Sequence, residues 1–196
     1  MNGTLANIGL VVVFVLIGSM FAAAEIALVS LRDGQVRAMA HRGRRGEAVA
    51  RLSADPNRFL AAVQVGVTLA GFLSASFGGA TLAGDLSPKL VDLGIPAGAA
   101  DIVALVLVTV AISYVSLVLG ELAPKRLALQ RAEGFALALG PTVDRIAKIS
   151  RPVIWLLSAS TNVVVRLVGG DPNAKSEQMS DEELRDLVNA HETLGE

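Results

Sequence analysis

The sequence predicts an all-α integral membrane protein with three transmembrane helices and further helices along the cytoplasmic face. Three observations predict it. Apolar residues make up 53% of the 196 residues and charged residues only 18%, where a typical soluble domain carries about 25% charged residues. Mean hydropathy is +0.57. Three stretches hold almost no charge and are long enough to cross a bilayer, which takes roughly 20 mostly apolar residues.

The first stretch covers residues 5–31, and its only charge is Glu25. The small residues from Ser19 to Ala24 resemble a signal-peptide cleavage site. No Lys or Arg precedes them, however, and the apolar run exceeds the usual signal-peptide core of about 7–15 residues, so a retained span is expected. The second stretch, 59–84, has no charged residue. The third, 102–120, is also uncharged and runs directly into Glu121.

The connecting segments set the expected orientation. Seven arginines fall between residues 32 and 58, whereas Lys89 is the only cation between the second and third spans. Lys125, Arg126 and Arg131 follow the third. The positive-inside rule then puts the N-terminus outside, with residues 32–58 and everything after the third span in the cytoplasm. The basic run Arg42-Gly43-Arg44-Arg45 is read as a topology signal and a contact for anionic lipid.

A fourth apolar run, 152–165, has 14 uncharged residues between Arg151 and Arg166. That is short for a span. Residues 134–168 are read as amphipathic helices along the cytoplasmic face. The rival is a fourth span with snorkelling cationic flanks, which would put the C-terminus outside. Composition changes at Gly169-Gly170-Asp171-Pro172-Asn173, a linker signal. Ser180 and Glu183 then form a capping box ahead of Leu184, Leu187 and Val188. The expected division is a transmembrane domain over 1–168, then a linker and the start of an acidic cytoplasmic helix over 169–196.

Several function classes fall away. The chain has no cysteine, so disulfide scaffolds, thiolate metal sites and thiol catalysis are excluded. His41 and His191 lie in polar segments, which leaves no histidine-rich metal site. No nucleophile and base stand in a recognisable pattern, so an enzyme is not expected. Nothing points to nucleic acid.

The polar groups inside the spans carry the functional reading. Ionisable residues there are costly and face a partner, a cavity or a pathway. There are two acids, Glu25 and Glu121, joined by Ser19, Ser30, Gln64, Thr68, Ser74, Ser76, Ser113 and Ser116. Counting about 1.5 Å per residue puts Glu25 about 11 Å to the cytoplasmic side of the first span's midpoint. The same count puts Gln64 and Gly120-Glu121 at a similar depth. Carboxylate, amide and carbonyl oxygens around one point are what a hard cation needs.

Pro124 adds a specific device. It has no N–H, so the Gly120 carbonyl four residues earlier loses its helical partner. A freed carbonyl at membrane depth needs protein or a cavity to satisfy it. Other roles stay open for the rest. Glu25 could pair with Arg32 or a third-helix hydroxyl and orient its helix. Gln64 and Thr68 could be interhelical glue. Ala70, Ser74 and Gly78 form a small-residue stripe suited to packing or dimerisation as much as to ligation.

Three segments carry a family resemblance: Phe21-Ala-Ala-Ala-Glu25-Ile-Ala-Leu-Val-Ser30, Gln64-Val-Gly66-Val-Thr68-Leu-Ala-Gly71 and Leu119-Gly120-Glu121-Leu-Ala-Pro124-Lys125. Together they resemble the transmembrane domain of the cyclin-M and CorC cation transporters, whose bacterial members are often labelled hemolysin-like. The Gly-Glu-x-x-Pro-Lys element is the most specific part. Residues 180–196 resemble the acidic helix that joins this domain to paired cystathionine-β-synthase-type nucleotide-binding modules. The resemblance implies a homodimer in the bacterial inner membrane, with the N-terminus outside and a belt of juxtamembrane helices. It implies a dehydrated Mg²⁺ site opening to the cytoplasm between the helices, and Mg²⁺ efflux coupled to Na⁺. The Gly120 carbonyl and Glu121 match its third-helix ligands, and Ser74 its second-helix hydroxyl. Ala22 departs from it, because many relatives have serine there, so one hydroxyl ligand is either missing or replaced by Glu25. The full expected metal set is Glu121, Gly120, Ser74, Glu25 and Gln64. The alternatives are export of a polyamine or another divalent cation, and a regulatory membrane anchor without transport.

Overall fold

The computed structural model describes residues 2–171. Eight α-helices and one π-turn account for nearly all of them, and no strand occurs among the described residues. The chain divides into two compact units, Met1–Ile154 and Trp155–Glu196. The predicted capping box and acidic helix at 180–196 lie outside the described residues.

Three long helices carry the apolar runs. Helix α1 covers Asn2–Val29 and α4 covers Pro56–Asp92. Helix α5, Ala97–Leu117, passes through a π-turn, Val118–Leu122, into α6, Ala123–Gln130. The three spans Gly3–Val29, Pro56–Asp92 and Ala97–Gln130 are long and apolar enough to cross a membrane, as the sequence predicts. Two of them run well past the predicted ends. At 1.5 Å per residue, α4 is about 55 Å long, so it extends beyond a hydrocarbon layer of about 30 Å.

Local chemistry explains the boundaries. Helix α4 starts where Asp55 accepts a hydrogen bond from the Arg58 backbone N–H at 3.2 Å, with Pro56 in the first turn, where a missing N–H costs nothing. The turn into α5 uses Gly94 at φ +95, a left-handed conformation that glycine adopts without strain.

The segment between the first two spans is helical, although its arginines gave no apolar run to read. It forms α2, Asp33–Ala40, and α3, Gly43–Ala54. Each buries a narrow stripe: Met39 from α2, and Ala48, Val49 and Leu52 from α3. Helix α7, Ala132–Ile149, packs on α3 so closely that a Cβ on Gly140 would stand 2.9 Å from Val49 Cγ2. Asp144 of α7 is buried and accepts hydrogen bonds from Arg51 Nη2 of α3 at 3.1 Å and from Lys148 Nζ at 2.8 Å. Glu133 of α7 accepts from Gln35 Nε2 of α2 at 2.8 Å. Helix α8, Arg151–Leu167, forms in the fourth apolar run and buries none of its residues. Trp155, Leu156, Val163 and Val164 are among its exposed apolar residues.

Two buried apolar clusters hold the first unit together. One gathers the C-terminal half of α1 and the N-terminal half of α4 with α2, α3, α6 and α7, around Phe21, Met39, Val63 and Val143. The other joins Val11 of α1 to the far half of α4 and to α5, around Ala104 and Ile112. Helices α1 and α4 run antiparallel at close range. A Cβ on Gly66 would stand 2.6 Å from the Phe21 ring, and one on Gly18 would lie 3.4 Å from Ala70 Cβ. The stripe Ala70, Ser74, Gly78 is buried inside the chain. Its glycine packs against Ile112 and Val11 of the same chain.

Candidate cation site

The π-turn positions the site. At its end the Ala123 N–H bonds to the Val118 carbonyl, five residues back. Such a turn is wider than an α-turn and often marks a functional position. The helix continues without a break because Pro124 falls in the first turn of α6, where proline's fixed φ suits a helix. Having no N–H, Pro124 donates nothing to the Gly120 carbonyl.

This continuity corrects the predicted depth of Glu121. With the third helix ending near residue 120, Glu121 was expected level with Glu25, near the cytoplasmic end. Instead the helix runs on to Gln130, and Gly120 sits beside Val15, whose Cγ1 and carbonyl oxygen would lie 3.5 and 3.6 Å from a Cβ there. Val15 is at the middle of α1. Glu121 therefore belongs to the centre of the bundle, about 13 Å of helix rise from Glu25.

A cavity of about 20 Å³ opens at that level, between the parts of α1 and α4 that feed the two clusters. Phe14, Val15 and Gly18 of α1, Val67, Ala70, Gly71 and Ser74 of α4, and Ser116, Gly120 and Glu121 of the third helix line it. It is partly open and has room for one water-sized body. Three of the predicted ligands meet here: Glu121, Gly120 and Ser74. Ser74 is fully buried, and its Oγ donates to the Ala70 carbonyl at 2.9 Å, which leaves hydroxyl lone pairs free to accept. Among the described residues Glu121 makes no ion pair.

Ser116 completes the lining. Its Oγ is buried and has no hydrogen-bond partner. An unpaired buried hydroxyl costs about 1–3 kcal/mol, so a group with this position calls for an occupant. In the sequence Ser116 is one of the polar residues of the third span and is not part of the predicted ligand set. Its place four residues before Gly120, on the same helix face, was the signal available in the sequence.

Glu25 and Gln64 do not line the cavity. Glu25 Oε2 stands 3.6 Å from Lys125 Nζ, a partner on the third helix rather than Arg32. Gln64 Nε2 donates to Thr68 Oγ1 one turn along α4 at 3.2 Å. Ala22 is fully buried and also stays away from the cavity. No group of three or more His, Cys, Asp or Glu side chains converges among the described residues. The lining brings together the acid Glu121 and the hydroxyl residues Ser74 and Ser116 beside Gly120, oxygen donors suited to a hard cation.

Comparison with known proteins bears on the family. The chain matches the model of the cyclin M transmembrane N-terminal domain over residues 9–196. It is 37% identical to the UPF0053 protein sll0260 of Synechocystis over 177 residues, 90% of this chain and 39% of that protein. It is 31% identical to the UPF0053 protein YugS of Bacillus subtilis, covering 95% of this chain and 44% of that protein. It is 28% identical to the UPF0053 inner membrane protein YfjD of Escherichia coli, covering 88% of this chain and 37% of that protein. The chain thus spans less than half the length of these curated relatives.

Proposed function

We propose, from the premise that this chain belongs to the cyclin M transmembrane N-terminal domain family, that it is the membrane domain of a cation transporter and binds Mg²⁺ in the cavity between α1, α4 and the π-turn. One observation carries the proposal. Glu121, without an ion pair, and Ser116, with a buried unpaired hydroxyl, line the same small cavity at the middle of the bundle. Ser74 and the Gly120 carbonyl complete the set.

The chemistry favours a compact ion. Mg²⁺ is small and takes one or two carboxylates among its oxygen ligands. A plain membrane anchor has no use for a carboxylate and an unpaired hydroxyl in mid-bundle, where they are costly. Transport is alternating access: the helices rock about the site so that it faces the cytoplasm and then the outside. Outward Mg²⁺ movement coupled to Na⁺ entry, a homodimer, an outside N-terminus and cytoplasmic nucleotide-binding modules in the longer protein are parts of the same proposal. The arginines of α2 and α3 support the orientation.

Titration calorimetry on the detergent-solubilised chain tests it. Mg²⁺ binds saturably to the wild type, and Glu121→Ala removes the signal while the protein elutes at the same size. Equal affinity in the two proteins would refute the assignment.

A further inference from the structure

Lys125 has a task that ligation alone does not explain. It follows Pro124 directly and lies four residues, about one turn, past Glu121. Its ammonium reaches away from the cavity to Glu25 of α1, 3.6 Å from the carboxylate. The two side chains are only 36% and 28% exposed. Glu121 lines the cavity, and Glu25 and Lys125 pair beyond it. Their sum is one negative charge. Without Lys125 it would be two.

We propose that Lys125 is a positioning residue that sets the charge around the cation site: by pairing with Glu25 it offsets the second carboxylate and limits how strongly the site prefers a divalent over a monovalent cation. This rests on the cation site proposed above. The physics is simple. A fixed charge outside the coordination shell acts through its potential, and the energy of an ion in a potential scales with the ion's own charge. Removing Lys125 must then raise Mg²⁺ affinity by the square of the factor by which it raises Na⁺ affinity. A transporter that must release Mg²⁺ on each cycle gains from the weaker field.

The test compares Mg²⁺ and Na⁺ binding by calorimetry in the wild type, Lys125→Gln, Lys125→Arg, Glu25→Gln and the double variant Glu25→Gln/Lys125→Gln. At low ionic strength Lys125→Gln should tighten Na⁺ about fivefold and Mg²⁺ about twenty-five-fold, the size expected for one charge roughly 10 Å away in a partly screened site. Glu25→Gln should weaken both in the same ratio, and Lys125→Arg should match the wild type. The double variant restores the net charge and should return both affinities to near the wild-type values. A purely structural pair gives a different pattern: both single variants weaken binding, and the double variant does not recover. That pattern, or a double variant that loses Mg²⁺ because Glu25 is itself a ligand, overturns the inference while leaving the Glu121 site standing. A wild type that binds no Mg²⁺ overturns both.

Discussion

Ser116 and Glu121 meet in the mid-bundle cavity proposed to hold the cation. The buried Ser116 hydroxyl has no hydrogen-bond partner, and the half-buried Glu121 beside it makes no ion pair among the described residues. Ser116→Ala should therefore separate stability from binding. It removes an unsatisfied hydroxyl, so the thermal midpoint in detergent should hold or rise. Mg²⁺ affinity should fall about tenfold, the loss expected for one coordinating oxygen worth about 1.4 kcal/mol. A lowered midpoint with unchanged affinity would make Ser116 a packing residue. The sequence singles out Gly120 and Glu121, because an acid, a glycine and a proline within one turn are hard to explain otherwise, and Ser74 enters only through the family resemblance. It did not expose the Glu25–Lys125 pair, which joins residues 100 positions apart across two helices. Only the packing of α1 against the third helix makes that contact.

At the scale of the element, the π-turn and the glycine contacts matter most. Pro124→Ala would restore an amide that can bond the Gly120 carbonyl. The prediction is about tenfold weaker Mg²⁺ binding, with helix content in circular dichroism unchanged. Unaltered affinity would mean the Gly120 carbonyl is no ligand. Gly78 tests the packing of α4. A Cβ there would fall 2.0 Å from Ile112 Cδ1, whereas one on Gly84 meets nothing within 4 Å. Gly78→Ala should cost about 1–3 kcal/mol through overpacking. Gly84→Ala should cost nothing and gain a little helix propensity. Both are read by denaturant or thermal unfolding in the same detergent. The three spans were plain in the sequence as uncharged runs. The ends of α4 and of the third helix were not, because charged residues such as Asp85, Lys125 and Arg126 continue a helix that composition alone treats as finished. The arginine-rich α2 and α3 were hidden for the same reason. Their buried stripes are short and their other faces are charged.

Across the whole first unit, the α2, α3 and α7 layer is tied to the spans through buried Met39, Val49 and Val143 and pinned by Asp144. Burial alone would push the Asp144 carboxyl up. The hydrogen bonds from Lys148 and Arg51, with the charges of both cations, outweigh it and hold the group below its ordinary value. A carboxyl lowered on folding contributes stability that is fully present above its unfolded value, about 3.9, and is lost as pH falls through the lower folded value. Asp144→Asn should therefore destabilise the protein by about 1–3 kcal/mol at neutral pH. The gap between variant and wild type should hold from pH 7 to pH 5 and close only below about pH 4. A gap that closed near neutrality would point to another group. This clamp lay beyond reach of the sequence, since Arg51 and Asp144 are 93 positions apart.

The central claim is that the mid-bundle cavity is where the cation binds. Crystals of the detergent-solubilised protein soaked in Mn²⁺, a hard divalent ion with an anomalous signal, would locate it directly. One anomalous peak per subunit is predicted between Glu121, Ser74, Ser116 and the Gly120 carbonyl, with none beside Gln64. A peak at Glu25 and Gln64, or an empty cavity at saturating Mn²⁺, would contradict it.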